Sequence, residues 1–77
     1  SKEKALERLQ SWEPERLAGV KVEKISRLDG VKILLEGGSW CLVRASGTEN
    51  VFRIYLEAPD RGLFQKLQNE IREELDI

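Results

Sequence analysis

The segment Arg44-Ala45-Ser46-Gly47-Thr48-Glu49-Asn50, with Arg53 nine positions after Arg44, is dense in hydrogen-bond donors. Those residue types suit the binding of an oxyanion. Gly47 lets the backbone turn through conformations closed to residues with a Cβ, so neighbouring N–H groups can converge on one point as an anion nest. Ser46 and Thr48 bracket it with hydroxyls that donate without adding charge. Arg44 and Arg53 each offer a planar fork that matches phosphate oxygens. A phosphate clamp follows from this set, and an ordinary alternative stands beside it. Ser, Gly, Thr and Asn are common hairpin residues, and either arginine can pair with Glu49 or Glu57, at about 0–1 kcal/mol for exposed partners. Composition alone does not separate the two. Ser46-x-x-Glu49 also fits a helix capping box, but period-two alternation begins at Phe52, so no helix is expected there.

The elements around this segment must position it. Ala5, Leu6 and Leu9 recur at helical spacing among charged residues, with Ser1 as the only N-cap signal and Pro14 as a stop. From Gly19 the period changes to two: Val20 and Val22 alternate with Lys21 and Glu23, and the phase slips at Lys24-Ile25 as a bulge would cause. Asp29-Gly30, between Leu28 and Val31, predicts a two-residue type I′ hairpin into a second strand over residues 31–35. Gly37-Gly38 turns into a third strand over 40–44, with Trp40 and Leu42 expected opposite Leu35 and Ile33 on one face. In the fourth strand Phe52, Ile54, Leu56 and Ala58 point one way and Arg53, Tyr55 and Glu57 the other. Asp60 is the expected N-cap of a helix whose stripe is Leu63/Phe64, Leu67, Ile71 and Leu75. Strands in a run, then a helix to cover them, give a two-layer α+β domain with a four-stranded, mainly antiparallel sheet.

Composition narrows the chemistry. The chain has 77 residues, 13 Lys+Arg against 14 Asp+Glu, no histidine and one cysteine, which excludes an internal disulfide, a zinc finger and a histidine-based catalyst. The near-neutral balance argues against nucleic acid as partner. The longest apolar run, Trp40 to Val43, is far below the ~18 residues that span a bilayer, and the charged N-terminus has no leader pattern, so a cytoplasmic location without membrane contact is expected. Trp40 is expected in the core, Trp12 at its edge, Tyr55 on the wetter face and Cys41 as a buried, inert thiol. Sheet-surface RNA binding would need interleaved aromatics on an open basic face, where Tyr55 stands almost alone.

The stretch from Trp40 to Ala58 resembles the phosphate-binding segment of the α-D-phosphohexomutase superfamily, whose pattern is Arg-x-Ser-Gly-Thr-Glu-Pro followed by Arg-(Val/Ile)-Tyr-x-Glu-(Ala/Gly). Arg44-x-Ser46-Gly47-Thr48-Glu49 and Arg53-Ile54-Tyr55-x-Glu57-Ala58 both stand at the expected separation. Asn50 replaces the usual proline, and Ala45 sits where proline is frequent, so the loop is expected to be less rigid than in most relatives. The resemblance implies that residues 1–77 form a single domain of TBP-like fold, the C-terminal domain of a larger phosphoglucomutase or phosphomannomutase. It further implies that Arg44, Ser46, Gly47, Thr48 and Arg53 hold the phosphate of a hexose phosphate during 1-phosphate to 6-phosphate interconversion. Three further domains would supply the phosphoserine, a magnesium ion and sugar selection. No catalytic residue, metal ligand or cofactor is expected within these 77 residues, and the isolated domain is expected to be inactive. A stand-alone module for phosphorylated ligands is the alternative.

Overall fold

In the computed structural model, which describes residues 1–77, the chain runs α1 (Lys2–Ser11), β1 (Arg16–Leu17), β2 (Val20–Ser26), β3 (Val31–Leu35), β4 (Trp40–Ala45), β5 (Phe52–Glu57) and α2 (Arg61–Leu75). Both helices start at the caps the sequence marks. The Ser1 side chain accepts from the Lys4 N–H at 3.3 Å, and Asp60 Oδ1 accepts from the Leu63 N–H at 2.9 Å. Such caps stabilise by about 1 kcal/mol each. The C-terminus of α1 is closed by Arg27, whose guanidinium donates to the Leu9, Gln10 and Trp12 carbonyls. A cation there also opposes the helix dipole.

The strands form one antiparallel meander in the order β1-β2-β3-β4-β5. Both helices cover the same face of it. Ala5 and Leu9 of α1, with Leu67, Ile71 and Leu75 of α2, pack into one cluster with Val31, Ile33, Leu35, Cys41 and Val43. Phe52, Ile54 and Leu56 join that cluster, half-buried, while Arg53, Tyr55 and Glu57 face out. The α+β layering and the antiparallel sheet are therefore as expected. The phase slip in β2 is also present: Val22 pairs with Leu35 and Lys24 with Leu34, so the irregularity falls at Glu23. No helix is long and apolar enough to cross a membrane.

Four expectations need correction. The sheet has five strands, the extra one being the two-residue β1, which is too short to show a period. Its hairpin to β2 turns through Ala18 and Gly19 with φ of 51° and 77°, the pair of positive angles that a type I′ turn requires. The Asp29-Gly30 connection is wider than two residues, because the β2–β3 ladder stops at Ser26↔Lys32 and only Gly30 has positive φ. The bonds of Arg27 to the end of α1 draw the chain out of the ladder at that point. The third correction is one of register. Leu34 pairs with Trp40 and Ile33 with Cys41, one residue away from the expected pairing. Because side chains alternate, that shift places Cys41 and Val43 in the core and turns Trp40 and Leu42 to the outer face. Trp40 is accordingly half-buried and donates its indole N–H to Glu57 Oε2 at 3.0 Å, with Lys32 Nζ 4.9 Å from the ring centre. Finally, Phe64 is not part of the buried stripe of α2; Leu63 alone contributes at that turn.

Candidate functional site

Residues 46–51 join β4 to β5, so the two strands bring Arg44 and Arg53 to the mouth of the loop. Their Cα atoms are direct cross-strand partners. Both side chains project from the outer face, away from the helices, since Val43 and Ile54 on either side face the core. Directly opposed like charges destabilise a sheet unless something negative lies between or beside them. Here each guanidinium has found a carboxylate: Arg44 Nη1 lies 2.8 Å from Asp29 Oδ2, and Arg53 Nη2 lies 3.6 Å from Glu49 Oε1. The partners are largely exposed, 42% and 76% in the first pair and 53% and 63% in the second, so each bridge contributes about 0–1 kcal/mol. Of the two carboxylates foreseen as partners, Glu49 is used by Arg53, while Glu57 is taken by Trp40.

The loop is closed at its base by the Ser46 N–H donating to the Val51 carbonyl at 3.0 Å. Ser46 Oγ accepts from the Glu49 N–H at 3.2 Å, the bond a capping box would begin with, here turning the chain with no helix behind it. The N–H groups of Gly47, Thr48 and Asn50 donate to no other group of the chain. Gly47, Thr48 and Asn50 are all exposed. The site thus presents three free amides, two hydroxyls and two guanidinium groups. Donors of these types are the ones that compact polyoxygen anions accept from.

Three residues that sequence reasoning did not connect with this site shape the arrangement. Asp29 holds Arg44. Gly30 lets β3 begin against β4: its φ is +76°, and a Cβ there would lie 2.5 Å from the Val43 carbonyl oxygen and 2.6 Å from Arg44 Cβ. Lys2 of α1 donates from Nζ to the Ser46 carbonyl at 2.7 Å and the Glu49 carbonyl at 2.9 Å. The lysine lies too far away in sequence, 44 and 47 positions, to be flagged by any local pattern. Asp29-Gly30 carried a signal, but as a turn dipeptide.

Other candidates carry no site. Burial pushes the Cys41 thiol up to about 11, against a weaker downward pull from a backbone hydrogen bond with Ile33, which leaves it protonated and unreactive at neutral pH. No three His, Cys, Asp or Glu residues come together in a group that could hold a metal ion. A groove lined by Lys2, Asn50, Val51, Phe52 and Arg72, among others, opens on the helical side of the loop and contains neither Arg44 nor Arg53.

Residues 2–74 match the family model described as phosphoglucomutase/phosphomannomutase, C-terminal domain. A phosphoglucomutase/phosphomannomutase of Thermococcus kodakarensis is 44% identical over 61 residues, covering 79% of this chain and 12% of that protein. A probable phosphoglucosamine mutase of Methanothermobacter thermautotrophicus is 61% identical over 33 residues, 43% of this chain and 7% of the relative. A phosphopentomutase of Thermococcus kodakarensis is 40% identical over 47 residues, 61% of this chain and 10% of the relative. The chain therefore spans about a tenth of the length of the curated relatives it matches. No solved structure matches it. With the match running through α1, the whole sheet and nearly all of α2, the chain belongs to the phosphoglucomutase/phosphomannomutase family, as its C-terminal domain.

Proposed function

We propose that this domain grips the phosphate of a sugar phosphate at the end of the sugar remote from the reacting centre, within a mutase that interconverts the 1- and 6-phosphates of a hexose. Arg44 and Arg53 supply the forks, Ser46 and Thr48 the hydroxyls, and the backbone around Gly47 the nest. The observation that carries the reading is the direct pairing of Arg44 with Arg53 on the outer face, beside a loop whose amides at 47, 48 and 50 are unspent. A phosphate dianion removes the like-charge opposition, and each charge-assisted bond it accepts is about twice as strong as a neutral one.

Such a grip serves phosphoryl transfer by position. The acceptor oxygen must be in line with the phosphorus, and binding energy taken from a remote phosphate can hold it there. A bisphosphate intermediate that turns end for end presents either phosphate to the same clamp, and a shape-tolerant nest with two forks accepts both. Chemistry, magnesium binding and sugar selection belong to the other domains of the parent enzyme, which the TBP-like module would join in a cytoplasmic protein. Relatives whose names span hexose, hexosamine and pentose mutases support a domain that reads the phosphate and leaves the sugar to others. The isolated domain binds weakly on this account, on the order of millimolar.

The test is an NMR titration of the 77-residue chain with glucose 1-phosphate and with inorganic phosphate. Saturable shifts centred on residues 44–53 are the expected result. Shifts confined to residues outside that range overturn the reading.

A further inference from the structure

Resting on the phosphate-site reading, we infer that Lys2 is a positioning residue of that site: its ammonium ties up the carbonyls of the loop so that the loop's amides are left facing outward for an anion. The loop needs such a device. It contains Gly47, no proline between Ala45 and Val51, and few internal bonds to fix its backbone. Only the Ser46–Val51 and Glu49–Ser46 bonds hold it from within, and both leave the Ser46 and Glu49 carbonyl oxygens free. Lys2 Nζ bonds both, at 2.7 and 2.9 Å.

The chemistry of a peptide loop explains why that matters. A loop carries equal numbers of donors and acceptors, and a carbonyl pointing toward a phosphate repels it as strongly as an amide attracts it. Holding two carbonyls back on a cation sorts the dipoles, with acceptors toward α1 and donors away from it. The ammonium reaches the loop from α1, on the face of the sheet that the helices cover, whereas the arginines project from the outer face, so it adds positive charge without competing for the ligand. Lys2 can do this because α1 is itself anchored, by Arg27 at its C-terminus and by Ala5 and Leu9 along its length in the core. A lysine on a fixed helix loses less freedom on making the contact than one on a loose segment would.

The experiment compares the unaltered chain with Lys2→Met, which keeps the length and packing of the stem without its charge, and with Lys2→Arg. Two quantities are read for each: the glucose 1-phosphate dissociation constant from NMR shifts, at low salt and at 0.5 M sodium chloride, and backbone 15N order parameters for residues 46–51. For Lys2→Met we expect binding weaker by about fivefold or more at both salt concentrations, with lowered order parameters in the loop and an unchanged rigid sheet. Lys2→Arg, which retains donors to both carbonyls, is expected to recover binding to within about twofold. Unchanged affinity in Lys2→Met overturns the inference, whether or not the melting temperature falls. So does a loss of affinity with an unaltered loop that vanishes at high salt, since that is the signature of charge alone. If the unaltered chain itself shows no binding at residues 44–53, it is the phosphate-site reading that fails, and this role of Lys2 fails with it; binding by the unaltered chain with an insensitive Lys2 leaves that reading standing.

Discussion

Replacing Arg53 by glutamine separates what the opposed arginines cost the free protein from what they contribute to a complex. Arg44 and Arg53 are direct cross-strand partners, and two unit charges as near as about 5.5 Å would repel by about 0.8 kcal/mol in water and about 3 kcal/mol at an effective dielectric of about 20, upper bounds because the guanidinium groups end long side chains drawn toward Asp29 and Glu49. Arg44 and Arg53 are about half exposed, so the lower end applies, and Asp29 and Glu49 offset most of it. Arg53→Gln removes the repulsion and also the weak Glu49 bridge, so the stability of the free chain should change by less than about 0.5 kcal/mol. Ligand tells the other half. At about ten times a millimolar dissociation constant, phosphate stabilises the unaltered chain by about 1.4 kcal/mol. For a domain of 77 residues this raises Tm by about 6–11 °C. Losing one charge-assisted arm, worth about 1.5–3 kcal/mol, weakens binding by ten- to a hundredfold or so and leaves a gain below about 3 °C. The assay is calorimetry in phosphate against sodium chloride of equal ionic strength. Phosphate also stabilises proteins by exclusion from their surfaces, and the variant measures that background. An equal phosphate-dependent gain in Arg53→Gln and the unaltered chain refutes the reasoning.

Three other outcomes follow from particular contacts. Gly30→Ala puts a Cβ 2.5 Å from the Val43 carbonyl at a φ of +76°, and should destabilise by about 2–4 kcal/mol in urea unfolding; a loss below about 0.5 kcal/mol would contradict the close approach of the two strands. The Cys41 thiol, raised to about 11 in the folded state, stays protonated while the unfolded thiol ionises near 9, so its contribution is complete below pH 9 and is lost as pH rises toward 11. Stability should therefore fall by about 2–3 kcal/mol across that window from this group, and the fall should be shallower by that amount in Cys41→Ala. Trp40, on the outer face, should be quenched by iodide in the Trp12→Phe variant, while Trp12 in Trp40→Phe is protected; the reverse pattern would mean the strand register is wrong.

The sequence made most of this architecture legible because the signals were long or chemically specific. Period two over Phe52–Glu57, the four-residue spacing from Leu63 to Leu75 and the Ser1 and Asp60 caps all survive in the structure. What failed was short or non-local. Trp40-Cys41-Leu42-Val43 is apolar at every position, so alternation cannot say which pair faces in. The turn decides it, and the three residues Glu36–Gly38 between the Leu35 and Ser39 pair, joined by a 2.8 Å bond, set a register one step from the one alternation suggests. β1 has two residues and no period. The candidate site was legible as a set of residue types, but not as a geometry. The pairing of Arg44 with Arg53 needs the loop length and register together, and the partners Asp29 and Lys2 come from elements far along the chain.

That division reflects where the work of preorganisation lies. On the phosphate-site reading, Arg44, Ser46, Gly47, Thr48 and Arg53 supply the donors that an anion would use. They are insufficient to hold it, because a glycine-containing loop without proline has many conformations, and ordering each residue costs about 1–2 kcal/mol. Within the motif only Ser46 braces the loop, and the other supports of the site lie outside it. Gly30 admits β3 against the root of Arg44, Asp29 holds its guanidinium, and Lys2 draws the loop's carbonyls back toward α1. An altered motif residue should therefore change which ligand is taken or how tightly, whereas an altered support should change how much of the time the site exists. The second effect appears in the dissociation constant as a loss common to every anion, without a change in their ranking. Comparing phosphate, sulfate and glucose 1-phosphate across Arg53→Gln and Lys2→Met distinguishes them: the ranking should shift in the first and hold in the second.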